Sequence, residues 1–285
     1  MEEPAVPAGR SIFGVDPMDD FAVLIADCIW DHCQNLSHVE IEAKVGILID
    51  RNTNARLQLP VFTETVVDAK QLGLRFESNM SMDQHRRFNQ LLNHLVAYSA
   101  NQAPSERVTY KHQKEVDYFY DERMPDTGSV VHLRVTRDAQ TLQIKPGGVV
   151  TKKRVADINV YAPNRPFDYR ISINTETPMP PPPEDSRPTF IREKDRLSYA
   201  HQNFNVDLTQ VILPNNVRFM TDIQPQEPVH ELEVEIRDSV ELMQHAFVAR
   251  GQEQKEFQEW TPFEDTVLIL LNNVRLLIRY VRIRT

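Results

Sequence analysis

Two short stretches of this chain carry glutamate at every second position. Val39-Glu40-Ile41-Glu42-Ala43-Lys44-Val45 lies near the start, and Glu231-Leu232-Glu233-Val234-Glu235-Ile236 lies near the end. Side chains alternate across a strand, so Glu40, Glu42 and Lys44 would share one face, and so would Glu231, Glu233 and Glu235. Glutamate is depleted in strands, and like charges side by side on one face repel. Such rows call for a compensating partner. A hard divalent cation, Mg²⁺ or Mn²⁺, suits a set of carboxylate oxygens.

Other segments supply the opposite sign. Arg192, Lys194 and Arg196 alternate with Glu193 and Asp195, which puts three cations on one face. Arg134 sits between Leu133 and Val135, and Lys153 lies in the basic run Lys152-Lys153-Arg154. The polar set of the next segment is Arg170, Ser172, Asn174 and Glu176, and that of a later one is Asp207 and Thr209. Any antiparallel sheet with one wet face alternates in this way, so a single such strand says little. Here, however, the acidic and basic rows segregate by strand. If the sheet closes with these faces inward, the lumen sets carboxylates against guanidinium and ammonium groups. That combination suits a metal ion with a polyphosphate. Without a ligand, so many buried charges would be costly.

The elements that must position these rows can be read from periodicity. Alternating segments at 38–49, 107–120, 130–138, 149–161, 168–177, 191–199, 205–213 and 229–237 predict many short antiparallel strands, hence a closed barrel or a sandwich. Helices are expected from Asp16-Pro17, with Phe21, Leu24, Ile25, Cys28 and Ile29 on one buried face, and from Ser81, where Ser81 and Gln84 make a capping-box pair. The stripe of that second helix is Phe88, Leu91, Leu92, Leu95 and Val96; two more helices are expected over 239–251 and 263–279. The proline-rich run 177–189 cannot be a central strand and reads as an exposed connection. Residues 1–15 read as a loose tail ahead of a single domain over 16–285.

Composition excludes several classes. With 32 Lys and Arg against 41 Asp and Glu, the net charge of −9 over 285 residues does not suit nonspecific coating of nucleic acid. Glycine numbers only 8, and neither phosphate-loop fingerprint is present. The two cysteines, Cys28 and Cys33, fit neither a disulfide framework nor a zinc site. The start MEEPAVPAGR does not read as a signal peptide, and the apolar run Val267 to Leu271 is too short to cross a membrane.

VEIEAK at 39–44 paired with ELEVEI at 231–236 resembles the two glutamate motifs of the triphosphate tunnel metalloenzymes. HLRVT at 132–136, KKRVADINVY at 152–161, RISINTE at 170–176, REKDRLSY at 192–199 and VDLT at 206–209 follow the order found in fungal mRNA 5′-triphosphatases, the β subunits of the capping enzyme. The similarity spans roughly residues 15–250. It implies an α+β fold: an eight-stranded antiparallel β-tunnel, open at both ends and packed on helices, in a homodimer. By matched position, Glu40, Glu42 and Glu235 would ligate Mg²⁺ or Mn²⁺, and Arg134, Lys153, Lys194 and Arg196 would bind the γ-phosphate. Glu176 would position or deprotonate the attacking water. Lys44, Arg192, Asp207, Thr209, Glu231 and Glu233 would support the tunnel or its phosphate contacts. The inward residue of the basic run stays open between Lys153 and its neighbours Lys152 and Arg154.

The function implied is removal of the terminal phosphate from the 5′-triphosphate end of nascent RNA, in the nucleus, with RNA polymerase II or the guanylyltransferase as partner. A tryptophan-rich docking segment found in some fungal members has no counterpart, since Trp30 and Trp260 are the only tryptophans. Recruitment through the polymerase is therefore the more attractive route. Two alternatives remain: a tunnel hydrolase of inorganic polyphosphate, thiamine triphosphate or free nucleotide, and a non-catalytic β scaffold.

Overall fold

Alternation along eight long strands dictates a wall with a charged face and an apolar face, and in this computed structural model the wall closes on itself. The structure describes residues 18–123, 128–212, 227–251 and 260–281, with Gly9 and Ile12. Helix α1 (Asp20–Cys33) precedes β1 (Val39–Asp50) and the short strands β2 (Ala55–Arg56), β3 (Thr65–Val67) and β4 (Leu74–Glu77). Helix α2 (Met82–Ser99) and a 3-10 turn lead into β5 (Thr109–Arg123), β6 (Val130–Asp138), β7 (Ile144–Tyr161) and β8 (Asp168–Pro178). Then come β9 (Phe190–His201), β10 (Phe204–Ile212), β11 (Val229–Ile236), α3 (Ser239–Gly251) and α4 (Pro262–Tyr280).

The ring runs β1-β8-β7-β6-β5-β9-β10-β11, and β11 pairs back onto β1 with Glu42 opposite Glu235 and Lys44 opposite Glu233. Every pairing in it is antiparallel. Closure leaves no edge strand in the ring. The outer face of the β1 half carries the core: Ile41, Ala43, Val45, Ile171, Ile173, Leu232 and Val234 are fully buried. They pack in one cluster with residues of all four helices, among them Ile25, Phe88, Leu242 and Val267. Polar-inside and apolar-outside is thus the energetically consistent arrangement, because the helices cover the outer face.

Among the described residues no helix packs over the β5–β6 side. There Tyr120, Leu133 and Val135 form a small cluster under Met179, which begins the proline-rich connection. That connection is otherwise largely exposed, as its prolines predict.

All eight predicted strands are present with ends shifted by a few residues, and β2, β3 and β4 were too short to read. The capping box of α2 forms as predicted: Gln84 N–H donates to Ser81 Oγ, and Ser81 N–H donates to Gln84 Oε1. Two helix faces differ from expectation. Asp16 and Pro17 lie outside the described residues, and the observed N-cap of α1 is Asp19, whose carboxylate accepts from Phe21 and Ala22 N–H. The buried face of α1 is Ala22, Ile25, Ala26, Ile29 and Cys33, while Leu24 is 48% exposed. Two alanines let this helix lie close against its neighbours, and that turns Leu24 outward. Leu95 of α2 is likewise at the rim. Among the described residues, no helix is long and apolar enough to cross a membrane.

Candidate active site

The bore encloses a cavity of about 550 Å³ whose described lining sets seven glutamates against eight lysines and arginines. Glu40, Glu42 and Lys44 come from β1 and Glu231, Glu233 and Glu235 from β11, while Arg192, Lys194 and Arg196 come from β9, which β10 separates from β11. Arg134, Glu176 and Thr209 join them. Asp207 stands behind the lining, accepting from Arg196 Nη1 at 2.8 Å and from the Ser198 hydroxyl.

Of the fourteen residues singled out from the sequence, Lys153 does not reach the bore. Its side chain is exposed on the outer surface, and Lys152 and Arg154 line the cavity instead. The reason is a β-bulge: the β7–β8 register shifts between Arg154 and Ala156. Unbroken alternation counted back from the buried Ile158 and Val160 would put Lys153 inside, and one extra residue inverts that parity.

Lys152 is central. Its ammonium contacts Glu40, lies 3.6 Å from Glu42 and 3.3 Å from Glu176, and so stands among three carboxylates. Asn174 Nδ2 donates to Glu40 at 2.8 Å and to Glu42 at 3.0 Å. Lys44 pairs with Glu233 and approaches Glu42 at 3.4 Å. Burial pushes Glu233 up, but the Lys44 ammonium more than offsets this and holds it at about 2. Glu176 accepts from Arg134 Nη2 at 2.9 Å. Burial opposes its ionisation, yet Arg134 and Lys152 together leave it below the ordinary carboxylate range.

Glu235 behaves differently. It makes no hydrogen bond or ion pair with a described residue. Burial, and then repulsion from Glu40, Asp207 and Glu42, push it up to about 8. Burial also raises Glu40, reinforced by Glu42 and Glu176 and opposed by Lys152.

On the basic wall, Asp117 is fully buried and accepts from Arg192 Nη2 at 2.7 Å and Lys194 Nζ at 2.6 Å. Although burial opposes its charge, these two cations hold it well below the carboxylate range. Lys194 is lowered to about 8, first by burial and then by Arg192, with Asp117 opposing. Two carboxylates, Asp117 and Asp207, meet the three cations of this row, which leaves one positive charge for an anion. Four buried polar atoms around the bore, Arg134 Nε, Arg196 Nε, Thr209 Oγ1 and Asn174 Oδ1, have no hydrogen-bond partner among the described residues. Buried polar groups ordinarily find a partner, so these four are open to water or to a ligand in the bore.

The fit to a divalent cation rests on the acidic wall of β1 and β11. Glu40, Glu42 and Glu235 are clustered oxygen donors, Glu42 and Glu235 are direct cross-strand partners, and Glu235 lacks a cationic partner of its own. Among the described residues no three such side chains already converge on one point, because Lys152 lies between Glu40 and Glu42. Donor type, burial and charge fit the ion.

Lys152, Arg154, Glu115, Asp117, Lys145 and Asn174 were not singled out as site residues. Glu115 and Asp117 alternate with Val116 and Tyr118 in a predicted strand, so the two-residue period could have found them. Lys145, which pairs with Glu115, comes from a hairpin whose path no pattern marks.

Residues 15–282 match the family described as mRNA capping enzyme, beta chain. The chain is 38% identical over 238 residues to the mRNA-capping enzyme subunit beta of Schizosaccharomyces pombe, covering 82% of this chain and 74% of that one. It is 32% identical over 277 residues to the Cryptococcus neoformans subunit beta, covering 96% of this chain and 64% of the relative. The solved structure of S. pombe Pct1 RNA triphosphatase superposes with a TM-score of 0.80 at 32% identity, covering 96% of this chain and 99% of that one. A second structure, of the same protein in complex with the Spt5 CTD, gives 0.79 and covers 95% and 98%. With the match running through every strand of the tunnel, the chain belongs to the family of mRNA capping enzyme beta chains.

Proposed function

We propose that the tunnel hydrolyses the γ-phosphate of triphosphate-ended RNA in a reaction that depends on a divalent cation, giving a diphosphate end and inorganic phosphate. The chain is an RNA triphosphatase of mRNA capping by family, and the proposal concerns how its residues do the work. The carrying observation is the enclosed wall in which segregated acidic and basic rows face each other, with Arg134 and Arg196 each keeping a buried Nε unpartnered.

Glu40, Glu42 and Glu235 would hold Mg²⁺ or Mn²⁺, which when bound supplies charge neutralisation at the phosphate oxygens. Arg134, Lys152, Lys194 and Arg196 bind the γ-phosphate and stabilise the charge that spreads over its oxygens as water attacks in line. The bond to the bridging oxygen breaks, and the leaving diphosphate takes the electron pair. Glu176, kept ionised beside Arg134 and Lys152, orients the attacking water by accepting its hydrogen. Its depressed pKa suits orientation better than outright proton abstraction. Asp117, Asp207, Lys44, Glu233 and Arg192 hold these groups in place.

The test is γ-phosphate release from triphosphate-ended RNA with and without Mg²⁺ or Mn²⁺. Glu40→Ala and Glu235→Ala are expected to lower turnover at least about 100-fold. Folded variants with wild-type turnover would remove the metal assignment.

Nuclear action, a homodimer and a polymerase-associated partner belong to the same proposal. The S. pombe relative in complex with the Spt5 CTD supports the partner.

A further inference from the structure

The basic row of β9 begins with an aromatic residue that phosphate chemistry does not need. Phe190, Arg192, Lys194 and Arg196 follow at every second position and so share the inward face. Opposite them on β5 stand Phe119, Asp117, Glu115 and Gln113, in register with Phe119 paired to Phe190 and Asp117 to Arg192. The two phenylalanine rings lie 5.5 Å apart at 46°. The Arg192 guanidinium sits over the Phe119 ring at 5.4 Å. Phe119 lines the cavity, and both rings are only half-buried.

The two ends of this row differ in kind. Around Arg196 the neighbours are acidic, with Asp207 in contact and Glu233 and Glu115 close by. Beyond Phe119 comes His132, exposed and held by Asp121 at 2.7 Å. One end is thus aromatic and faces outward past Arg192, while the other is crowded with carboxylates that repel a phosphate backbone.

Resting on the proposed triphosphatase reading, we infer that Phe119, with Phe190 beside it, is the platform on which the first nucleobase of the substrate stacks. RNA then enters by the Phe119 mouth, and the platform separates nucleotide substrates from bare polyphosphate. An aromatic face suits any base, because every base has a π-face, which matches an enzyme acting on many transcripts. Arg192 lies between the platform and Lys194, where it would meet the phosphates nearest the sugar.

The experiment compares kcat/KM on triphosphate-ended RNA, GTP and inorganic tripolyphosphate for wild type, Phe119→Leu and Phe119→Trp. In Phe119→Leu, the ratio of RNA to tripolyphosphate is expected to fall about tenfold, carried in KM, with GTP falling alongside RNA. Phe119→Trp restores the ratio. Tripolyphosphate turnover reports folding and any disturbance passed to Arg192. An unchanged ratio, with all three substrates falling together or none, overturns the platform. A loss on RNA alone overturns its assignment to the first base. Wild-type protein that releases phosphate from none of the three would instead overturn the triphosphatase reading itself.

Discussion

Lys152 and Lys153 stand next to each other in β7, yet only Lys152 reaches Glu40, Glu42 and Glu176. Lys152→Ala is expected to lower RNA-dependent phosphate release at least about 100-fold, since it removes a half-buried cation of the bore from the reacting group. Lys153→Ala should stay within about twofold, as surface changes usually do. Side-by-side single-turnover assays decide between them, and equal losses would contradict the parity of the bulge. Lys194 gives a second residue-level test. Its ammonium is lowered to about 8, so the free enzyme loses this charge as pH rises through that value. Deprotonation removes a cation from the phosphate site, so kcat/KM should fall on the alkaline side of about pH 8. In Lys194→Arg that limb should flatten, because guanidinium does not titrate there.

At the scale of elements, the helical layer is tied together by one arginine. Arg250, in the last turn of α3, reaches Glu264 of α4 at 2.7 Å and Asp27 of α1 at 2.8 Å, and its guanidinium lies 5.2 Å from the centre of the Phe263 ring. Glu264 is fully buried and also accepts from Thr261 N–H at the start of its helix. Removing the partner of a buried carboxylate typically costs about 3–5 kcal/mol. Arg250→Ala should therefore lower the unfolding free energy by about 3 kcal/mol in urea titration. A change below about 0.5 kcal/mol would mean that this pair behaves like an exposed one. The β4 segment shows a different constraint. A Cβ at Gly46 would stand 2.2 Å from the Glu77 carbonyl oxygen, so only glycine lets β4 cross β1 at this point.

For the whole molecule, closure of the ring brings like charges from the two ends of the chain into one bore. Glu42 and Glu235 are 193 positions apart in sequence and direct neighbours across β1 and β11. A cation bound among Glu40, Glu42 and Glu235 relieves that repulsion in the folded state only. At about 100 times its dissociation constant, the ion should add about 2.7 kcal/mol of stability. That corresponds to a rise of about 4–5 °C in melting temperature. Differential scanning with and without Mn²⁺ measures it, and the rise should vanish in Glu235→Gln. A rise that survives this change would place the ion elsewhere.

The strand faces, the acidic and basic rows and the capping box of α2 were legible because they depend on local alternation and local hydrogen bonds, which a linear pattern records. The inward choice in Lys152-Lys153-Arg154 was not, because a single bulged residue directly after it reverses the parity without leaving a mark in composition. Nor was the exposure of Leu24, since close approach of Ala22 and Ala26 to neighbouring helices sets which side of α1 faces the core. The sequence by itself determined which residue types line each strand and therefore the class of ligand they suit. Only the tertiary structure decided which carboxylates share a wall, which lysine stands among them and which mouth is aromatic. Those are distances between strands remote along the chain, set by ring closure and register rather than by any local preference.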